Sequence, residues 1–272
     1  MLVCKVCLMR PASIGEQPPD RRPVLLFLPA RDEAATVAAV LERAPASIVA
    51  GGADHPVSLL VVDDGSTDGT GDIARDAGAH VIRTVGLGLG AAVRIGLRHA
   101  AELDAAAVAF CDADLEYDTA ALADLVSPIL EGRADYVVGS RFLGGARRMK
   151  PHRNLGNRLL TTAVRAATRH QRHVALTDGQ SGYRALSDRA AAAAEVAHDY
   201  NYAQVLTLDL LGRGFGYLEV PIDYSHREIG RSFVRLPTYL RRVVPTAYRV
   251  WRRGQSSTTK SRNDSRAVRQ AA

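Results

Sequence analysis

The chain has 272 residues, 47% of them hydrophobic, which suits one large α/β domain or two small ones. No run of about 18 apolar residues occurs, which excludes a transmembrane helix, and the charged opening segment does not resemble a secretory signal, so we expect a cytoplasmic protein. The net charge of +6 is concentrated at the C-terminal end, where twelve Lys and Arg residues from Ser225 onwards accompany two acidic residues. Such an end attracts anionic lipid, phosphates or nucleic acid, and charge alone does not choose among them.

Short apolar runs alternate with helical patterns from Pro23 onwards. Strands that are buried on both faces and separated by helices indicate an α/β fold with a mostly parallel central sheet flanked by helices. The predicted strands cover 24–29, 57–64, 80–83, 105–114, 135–140 and 215–222. The predicted helices cover 34–44, 70–77, 90–101, 119–131, 156–168, 187–195 and 202–213.

The folded domain is expected to cover residues 23–235. Residues 1–22 are rich in Pro and charge and residues 255–272 are polar, so we expect a disordered lead-in and a disordered tail. The segment 236–254 interleaves apolar side chains with five arginines. It is predicted to form a basic amphipathic helix, which either lies on a membrane surface or docks on the domain.

Acidic residues follow three of the predicted strands at their carboxyl ends. These segments are PARDE (29–33), DDGSTDGT (63–70) and DADLE (112–116). Each acidic strand end alone is often a helix cap. Because ligands of open α/β sheets bind in the crevice outside the carboxyl ends of the strands, the three segments together predict one binding site.

The DADLE segment predicts a metal site. Asp112, Asp114 and Glu116 offer the hard oxygen ligands that Mg²⁺ or Mn²⁺ prefers, and a diphosphate would supply further oxygens. Asp112 and Asp114 could instead cap the next helix, but Asp118 or Thr119 is better placed to do so.

A glycine-rich segment, GLGLGAAVRIG (86–96), opens the helix after the third predicted strand. Its spacing and its position do not match the dinucleotide fingerprint, which follows the first strand. We therefore expect no dinucleotide site. We expect the loop to let the backbone pass close to a nucleotide.

Seven segments, taken in chain order, resemble one known family. They are PARDE, VVDDGSTDGT, GLGLGAA, DADLE, VVGSRF, DGQSGYRA and EVPIDYSHREIGRS, and they span about residues 24–233. The ordered set resembles the family 2 glycosyltransferases of GT-A fold, and most closely the dolichol- or polyprenyl-phosphate sugar synthases. The resemblance implies metal-dependent, inverting transfer of a hexose from a donor such as GDP-mannose or UDP-glucose to a polyprenyl phosphate.

The resemblance also implies roles for individual residues. Nucleoside contacts are implied for Pro29, Arg31, Glu33, Val62 and Asp64. Contacts with metal and diphosphate are implied for Asp112, Ala113, Asp114 and Glu116, and phosphate contacts for Arg141 and Arg227. The residues expected to take part in catalysis are Asp114, Arg141, Asp178 and Arg227.

The chain departs from the family pattern at four places. Glu116 replaces a usual Gln, and Gln180 replaces a usual Thr. Leu206 stands where Glu is common, and the usual lysine of the G-x-S-K loop is absent, so Arg231 is expected to supply its charge. The last three departures bear on the acceptor more than on the donor.

Two kinds of acceptor remain open. A lipid phosphate is already an anion and needs cationic positioning, which Arg141, Arg153, Arg227 and Arg231 would provide. The alternative is a soluble phosphorylated or sugar acceptor, and if a sugar hydroxyl is the acceptor, it needs a base, for which Asp178 is the candidate. Asp178 also suits a structural role in its glycine-containing loop.

Three other classes of protein are less consistent with the sequence. A nucleotidyltransferase would carry its glycine-rich loop after the first strand, where PARDE stands. We expect no nucleic-acid partner, because the basic end lacks a recognisable reading motif. A non-catalytic nucleotide-sugar-binding protein is disfavoured by the intact Asp112–Asp114 pair. Contact with a membrane surface or with a membrane subunit is expected, since a lipid acceptor has to be reached.

Overall fold

The computed structural model describes residues 20–144, 151–168, 175–199, 202–225, 241 and 243–253, with the backbone alone at 151–154. Most of the predicted lead-in, the tail 255–272, and the predicted phosphate ligands Arg227 and Arg231 lie outside these ranges. Within the part of the chain that the structure describes, no helix combines the length and apolar character needed to cross a bilayer.

Strands and helices alternate along most of the described chain. The strands are β1 Val24–Ala30, β2 Ser47–Ala50, β3 Ala53–Asp63, β4 His80–Arg83, β5 Ala107–Phe110, β6 Tyr136–Ser140, β7 Arg184–Ser187 and β8 Tyr217–Pro221. The helices are α1 Val37–Glu42, α2 Thr70–Asp76, α3 Leu89–Glu102, α4 Leu122–Leu130, α5 Pro151–Thr168, α6 Asp188–Ala193 and α7 Ala203–Gly212. Residues 243–253 are also helical and are called the C-terminal helix below.

The central sheet is mixed. Its strand order is β2-β3-β1-β5-β7-β6-β8, with β4 also paired to β3. The pairs β1–β3, β1–β5, β3–β4 and β6–β8 are parallel, as predicted. The antiparallel strands β2 and β7 were not predicted from the sequence. The α/β fold class with helices flanking a central sheet is confirmed.

Strand β7 lies between β5 and β6 and runs against both of them. In register, Arg184 at the start of β7 pairs with Phe110 at the end of β5 and with Val138 in β6. An antiparallel strand begins where its neighbours end. The loop that precedes β7 therefore lies at the same edge of the sheet as the acidic ends of the parallel strands.

Alternating side chains of β1 bury two separate hydrophobic layers, one on each face of the sheet. Leu26 and Leu28 belong to one layer, while Leu25 and Phe27 belong to the other. Phe27 stacks on Phe110 with ring centroids 4.8 Å apart. Because successive residues of a strand point to opposite faces, one short strand contributes side chains to both layers.

Helix α3 packs on the Phe27 layer through Gly96. A methyl group added at Gly96 would lie 2.5 Å from the Phe27 ring, which is below contact distance. The Phe27 ring also stacks on Phe110 of β5, so it has little room to move away from α3.

We expect Gly96→Ala to lower the free energy of unfolding by about 1–3 kcal/mol, because it overpacks this contact. The matched control is Gly156→Ala on α5, where an added methyl group meets nothing within 4 Å. There the substitution raises stability by up to about 1 kcal/mol through helix propensity. Urea denaturation of both variants checks the difference, and equal effects would contradict the packing assignment.

Candidate active site

The strand order reverses at β1, which has β3 on one side and β5 on the other. The loops after β1 and β5 therefore leave the sheet next to each other. Thr36, in the first loop, is buried and donates a hydrogen bond to the carbonyl of Ala113 in the second, over 2.7 Å. Such a reversal opens a crevice at the carboxyl ends of the strands, which is where ligands of open α/β sheets bind.

Several residues predicted to hold a nucleoside meet at one side of this crevice. Pro29 of β1 and Val62 of β3 are direct partners in the parallel register. Arg31 is exposed, and its guanidinium lies 3.5 Å from the position that a Cβ on Gly86 would occupy. Glu33 is half-buried, and its N–H donates to the Thr70 hydroxyl over 2.9 Å.

Asp64 fastens the glycine-rich loop to this side of the crevice. Its carboxylate accepts hydrogen bonds from the N–H groups of Leu87 and Gly88, over 2.7 and 2.8 Å, and from the Thr84 hydroxyl. Only 5% of Asp64 is exposed. The loop is thus held close to Arg31, but the sequence offered no sign that Asp64 holds it there.

The DADLE segment forms a tight turn after β5. Leu115 has φ of +62°, a left-handed conformation that is uncommon for a residue with a side chain. Asp114 and Glu116, on either side of it, are buried, and the Asp114 carboxylate accepts from the Glu116 N–H over 3.1 Å. Asp112 is half-buried and faces the loop before β7.

The three predicted metal ligands do not form a complete metal site by themselves. Over the described ranges, no three Asp, Glu, His or Cys side chains converge on one point. A metal held at this turn would need further ligands from a bound molecule.

The loop before β7 packs directly on the DADLE turn. The Asp112 Oδ2 atom lies 3.0 Å from the position that a Cβ on Gly182 would occupy. The Gly182 N–H donates to the Tyr117 hydroxyl over 2.8 Å. Burial raises the pKa of Tyr117 well above its usual value, so this hydroxyl stays protonated. Tyr117 was missed from the sequence, where its only signal is its place directly after DADLE.

Arg141 and Asp178 form a buried, two-pronged ion pair. Arg141 donates from Nε and Nη2 to the two carboxylate oxygens of Asp178, over 2.7 and 2.8 Å, and from its backbone N–H over 3.1 Å. Arg141 is 3% exposed and Asp178 is 0% exposed. Burial alone would lower the pKa of Arg141, but its hydrogen bonds and charge interaction with Asp178 raise it above its usual value, so the guanidinium stays charged.

Glu219 of β8 holds the backbone at the Asp178 end of this pair. Its carboxylate accepts from the N–H groups of Thr177 and Asp178, over 2.8 and 3.1 Å. The next amide, of Gly179, donates to the Thr161 hydroxyl of α5 over 3.2 Å. This geometry favours the structural interpretation of Asp178 over its interpretation as a base.

Arg184 is a second buried arginine that organises the same loop. It is 0% exposed, and its guanidinium donates to the carbonyls of Gly179, Ser181 and Ala203 over 2.8–3.1 Å. It thereby fixes the loop to the start of α7. Sequence reasoning did not identify this arginine as part of the site region.

Two of the residues singled out from the sequence, Arg227 and Leu206, do not line the described part of the site. The N–H of Ser225 donates to the carbonyl of Glu116 over 3.1 Å, and Arg227 follows two residues later, outside the described ranges. Leu206 is 0% exposed and packs in the Phe27 layer under the sheet. Its position is therefore a core position.

The chain matches known proteins over most of its length. The family model described as glycosyl transferase family 2 matches residues 26–190. A polyprenol monophosphomannose synthase of Mycolicibacterium smegmatis is 31% identical over 82% of this chain and 86% of its own length. An undecaprenyl-phosphate mannosyltransferase of Micrococcus luteus is 31% identical over 64% of this chain and 74% of its own.

Solved structures share the fold. A glucosyl-3-phosphoglycerate synthase of Mycobacterium tuberculosis, solved with Mn²⁺, UDP and glucosyl-3-phosphoglycerate, superposes with a TM-score of 0.67. It is 24% identical, and the match covers 84% of this chain and 80% of that one. The same synthase in complex with UDP gives a TM-score of 0.66 at 25% identity, covering 85% and 80%. The expected GT-A fold is thus present, and the chain belongs to glycosyl transferase family 2 and is a glycosyltransferase.

Proposed function

We propose that this glycosyltransferase moves a hexose from a nucleotide sugar of the GDP-mannose or UDP-glucose type to a polyprenyl phosphate, with inversion and with Mg²⁺ or Mn²⁺. The observation that carries the choice of acceptor is the state of Asp178. Both of its carboxylate oxygens already accept hydrogen bonds from Arg141 in a buried pair. The candidate base for a hydroxyl acceptor is therefore committed to another role, whereas a phosphate acceptor needs no base.

The names of the relatives point to the same acceptor class. Two curated relatives, each 31% identical to this chain, are named as a polyprenol monophosphomannose synthase and an undecaprenyl-phosphate mannosyltransferase. Of the four departures from the family pattern, Glu116 keeps an oxygen ligand in the DADLE turn, and the other three lie outside that segment.

The donor is expected to lie along the crevice between the β1 and β5 ends. Pro29 and Val62 form a floor for the nucleoside, and Arg31 lies against the glycine-rich loop that Asp64 holds. Backbone without a side chain at Gly86, beside the Arg31 guanidinium, permits close approach of a phosphate. The diphosphate would then reach the DADLE turn.

The DADLE turn fits a divalent metal that arrives with the diphosphate. Mg²⁺ is commonly held by one or two carboxylates and by phosphate oxygens of the substrate, so a three-carboxylate cage is not required. Asp114 and Asp112 are the carboxylates that would hold it, with Glu116 close by on the other side of Leu115. When bound, the metal supplies positive charge that stabilises the departing nucleoside diphosphate.

The remaining chemistry is positioning. The acceptor phosphate oxygen attacks the anomeric carbon from the face opposite the leaving diphosphate, so the configuration inverts. Arg141 and Asp178 offset each other's charge, so the part of this buried pair in the proposal is to hold the loop before β7 in place beside the crevice. The rigid loop from Thr177 to Gly182 holds this geometry without needing to reorganise.

Asp114→Asn tests the metal and the donor site. It removes a negative charge that would bind the metal, so we expect metal-dependent transfer to fall by a factor of at least about 100. Purified protein is incubated with Mg²⁺ or Mn²⁺, GDP- and UDP-sugars and short-chain polyprenyl phosphate, and sugar in the lipid fraction is counted.

The matched control for this test is Asp118→Asn. Asp118 is exposed and caps the short 3₁₀ turn Thr119–Ala121, a role in which Asn serves as well. We expect its transfer rate to equal that of the wild type. Failure of the wild-type chain to bind any nucleotide sugar would refute the proposed donor chemistry altogether.

The Asp178→Asn variant tests whether Asp178 holds Arg141 in place or acts as a general base. An amide cannot accept both hydrogen bonds from Arg141, so a buried charge loses its partner and the free energy of unfolding should fall by about 3–5 kcal/mol. Residual kcat should keep the shape of the wild-type pH profile. A variant of unchanged stability that lost the acidic limb of that profile would instead identify Asp178 as a base.

A further inference from the structure

The side chain of Gln204, in the first turn of α7, is buried without hydrogen-bond partners. Gln204 is 4% exposed, and neither its Oε1 nor its Nε2 atom meets a partner among the described residues. A buried amide in this state costs free energy, so a folded protein keeps one where a water or a ligand completes its hydrogen bonds. Gln204 is therefore a candidate for ligand recognition.

Gln204 lies on the side of α7 that faces α5. Residues four apart on a helix share a face, and Leu208, one turn after Gln204, shares a hydrophobic cluster with Val164 of α5 and with the C-terminal helix. On the opposite side of α7, Leu206 packs in the Phe27 layer against the sheet. The amide therefore lies between two helices and not in the packing under the sheet.

The first turn of α7 is joined to the loop before β7. The Arg184 guanidinium donates to the carbonyls of Gly179 and Ala203, over 3.1 and 2.9 Å. Gln180 and Gln204 directly follow these two carbonyls, so the two glutamines leave neighbouring stretches of backbone. The Nε2 atom of Gln180 is also buried without a partner in the described part of the chain. Two glutamines with unpartnered amide atoms therefore stand where α7 meets the edge of the crevice.

The amide of Gln204 selects the chemistry of its ligand. Its Oε1 atom can only accept hydrogen bonds and its Nε2 atom can only donate them, and within the described ranges both are unpartnered. A hydroxyl group matches such an amide, because it both donates and accepts. An ionised phosphate only accepts, so it would leave Oε1 unsatisfied. The amide thus favours a sugar hydroxyl over the acceptor phosphate.

The order of the strands brings the sugar of the donor to the same place. Strands β3, β1, β5 and β7 are consecutive neighbours in the sheet, about 4.8 Å apart. The proposed donor has its nucleoside at the ends of β3 and β1 and its diphosphate at the DADLE turn after β5. The hexose comes next in that molecule and therefore reaches the start of β7, where the loop of Gln180 lies.

We propose that Gln204 binds a hydroxyl group of the transferred hexose and thereby determines which sugar the enzyme accepts. The inference rests on the proposed function, which gives the direction of the donor along the sheet. A site built to hydrogen-bond a hydroxyl rejects an analogue that lacks it, because its own buried polar atoms are then left unpaired. Gln204 would in this way contribute to specificity without taking part in the chemical step.

Donors that lack one hydroxyl group test this inference. We expect the wild type to bind one monodeoxy analogue of its nucleotide sugar at least about ten times more weakly than the parent compound, because the Gln204 amide is left unpaired. Gln204→Met keeps the length of the side chain and removes its hydrogen bonds, so in this variant the difference should shrink to less than about twofold. Isothermal titration of the full chain with GDP- and UDP-hexoses and their monodeoxy forms, with Mg²⁺ or Mn²⁺ and without acceptor, measures both ratios.

Two controls separate recognition from a general disturbance of the site. Gln204→Met should bind the nucleoside diphosphate alone as the wild type does, which also shows that the variant is folded. Leu208→Met, one turn further along the same face of α7, should keep the wild-type discrimination between donors. Without donor, Gln204→Met should unfold at a higher urea concentration than the wild type, because it removes an unpartnered amide from the interior.

The outcomes distinguish this inference from the proposed function. Discrimination that Gln204→Met abolishes, without any transfer to polyprenyl phosphate, would support the role of Gln204 and refute the proposed acceptor. Equal discrimination by the wild type and by Gln204→Met against every monodeoxy donor overturns the inference, and a lower unfolding midpoint of that variant would then assign the amide to a structural water. A wild type that binds no nucleotide sugar refutes both proposals.

Discussion

The placement of β7 between β5 and β6 is the constraint on which the site depends. A purely parallel sheet would put only strand ends at the crevice. Because β7 runs the other way, its beginning lies there, and the Thr177–Gly182 loop is carried to the DADLE turn. Two parts of the chain that are distant in sequence thereby form one wall, and the contact between Asp112 and Gly182 follows from the register.

Two buried arginines make that wall rigid. Removing a charge from water costs several kcal/mol, so such a group persists only where its hydrogen bonds are well satisfied. Arg141 meets a carboxylate in a two-pronged geometry, while Arg184 meets three backbone carbonyls. The first anchors Asp178 at the edge of the sheet, and the second fixes the loop in which Asp178 lies.

The sequence predicted those elements whose signal is local. The apolar run of β1 and the acidic residues after β5 follow from periodicity and strand ends, and both predictions agree with the fold. β7 was missed because RALS lacks the β-branched residues that marked the equally short HVIR as a strand, and what makes it a strand is the pair of neighbours on either side. The partner of Asp178 was equally invisible, since Arg141 lies 37 residues away and no local pattern encodes that pairing.

The contact between Asp112 and Gly182 has a consequence for how this chain can diverge. Any side chain at position 182 would push against the Asp112 carboxylate and the Tyr117 ring. A substitution at position 182 in the loop before β7 thus acts directly on the DADLE segment, although positions 112 and 182 are seventy residues apart. We therefore expect a side chain at position 182 to be accommodated only where the Asp112 carboxylate and the Tyr117 ring can shift to make room for it.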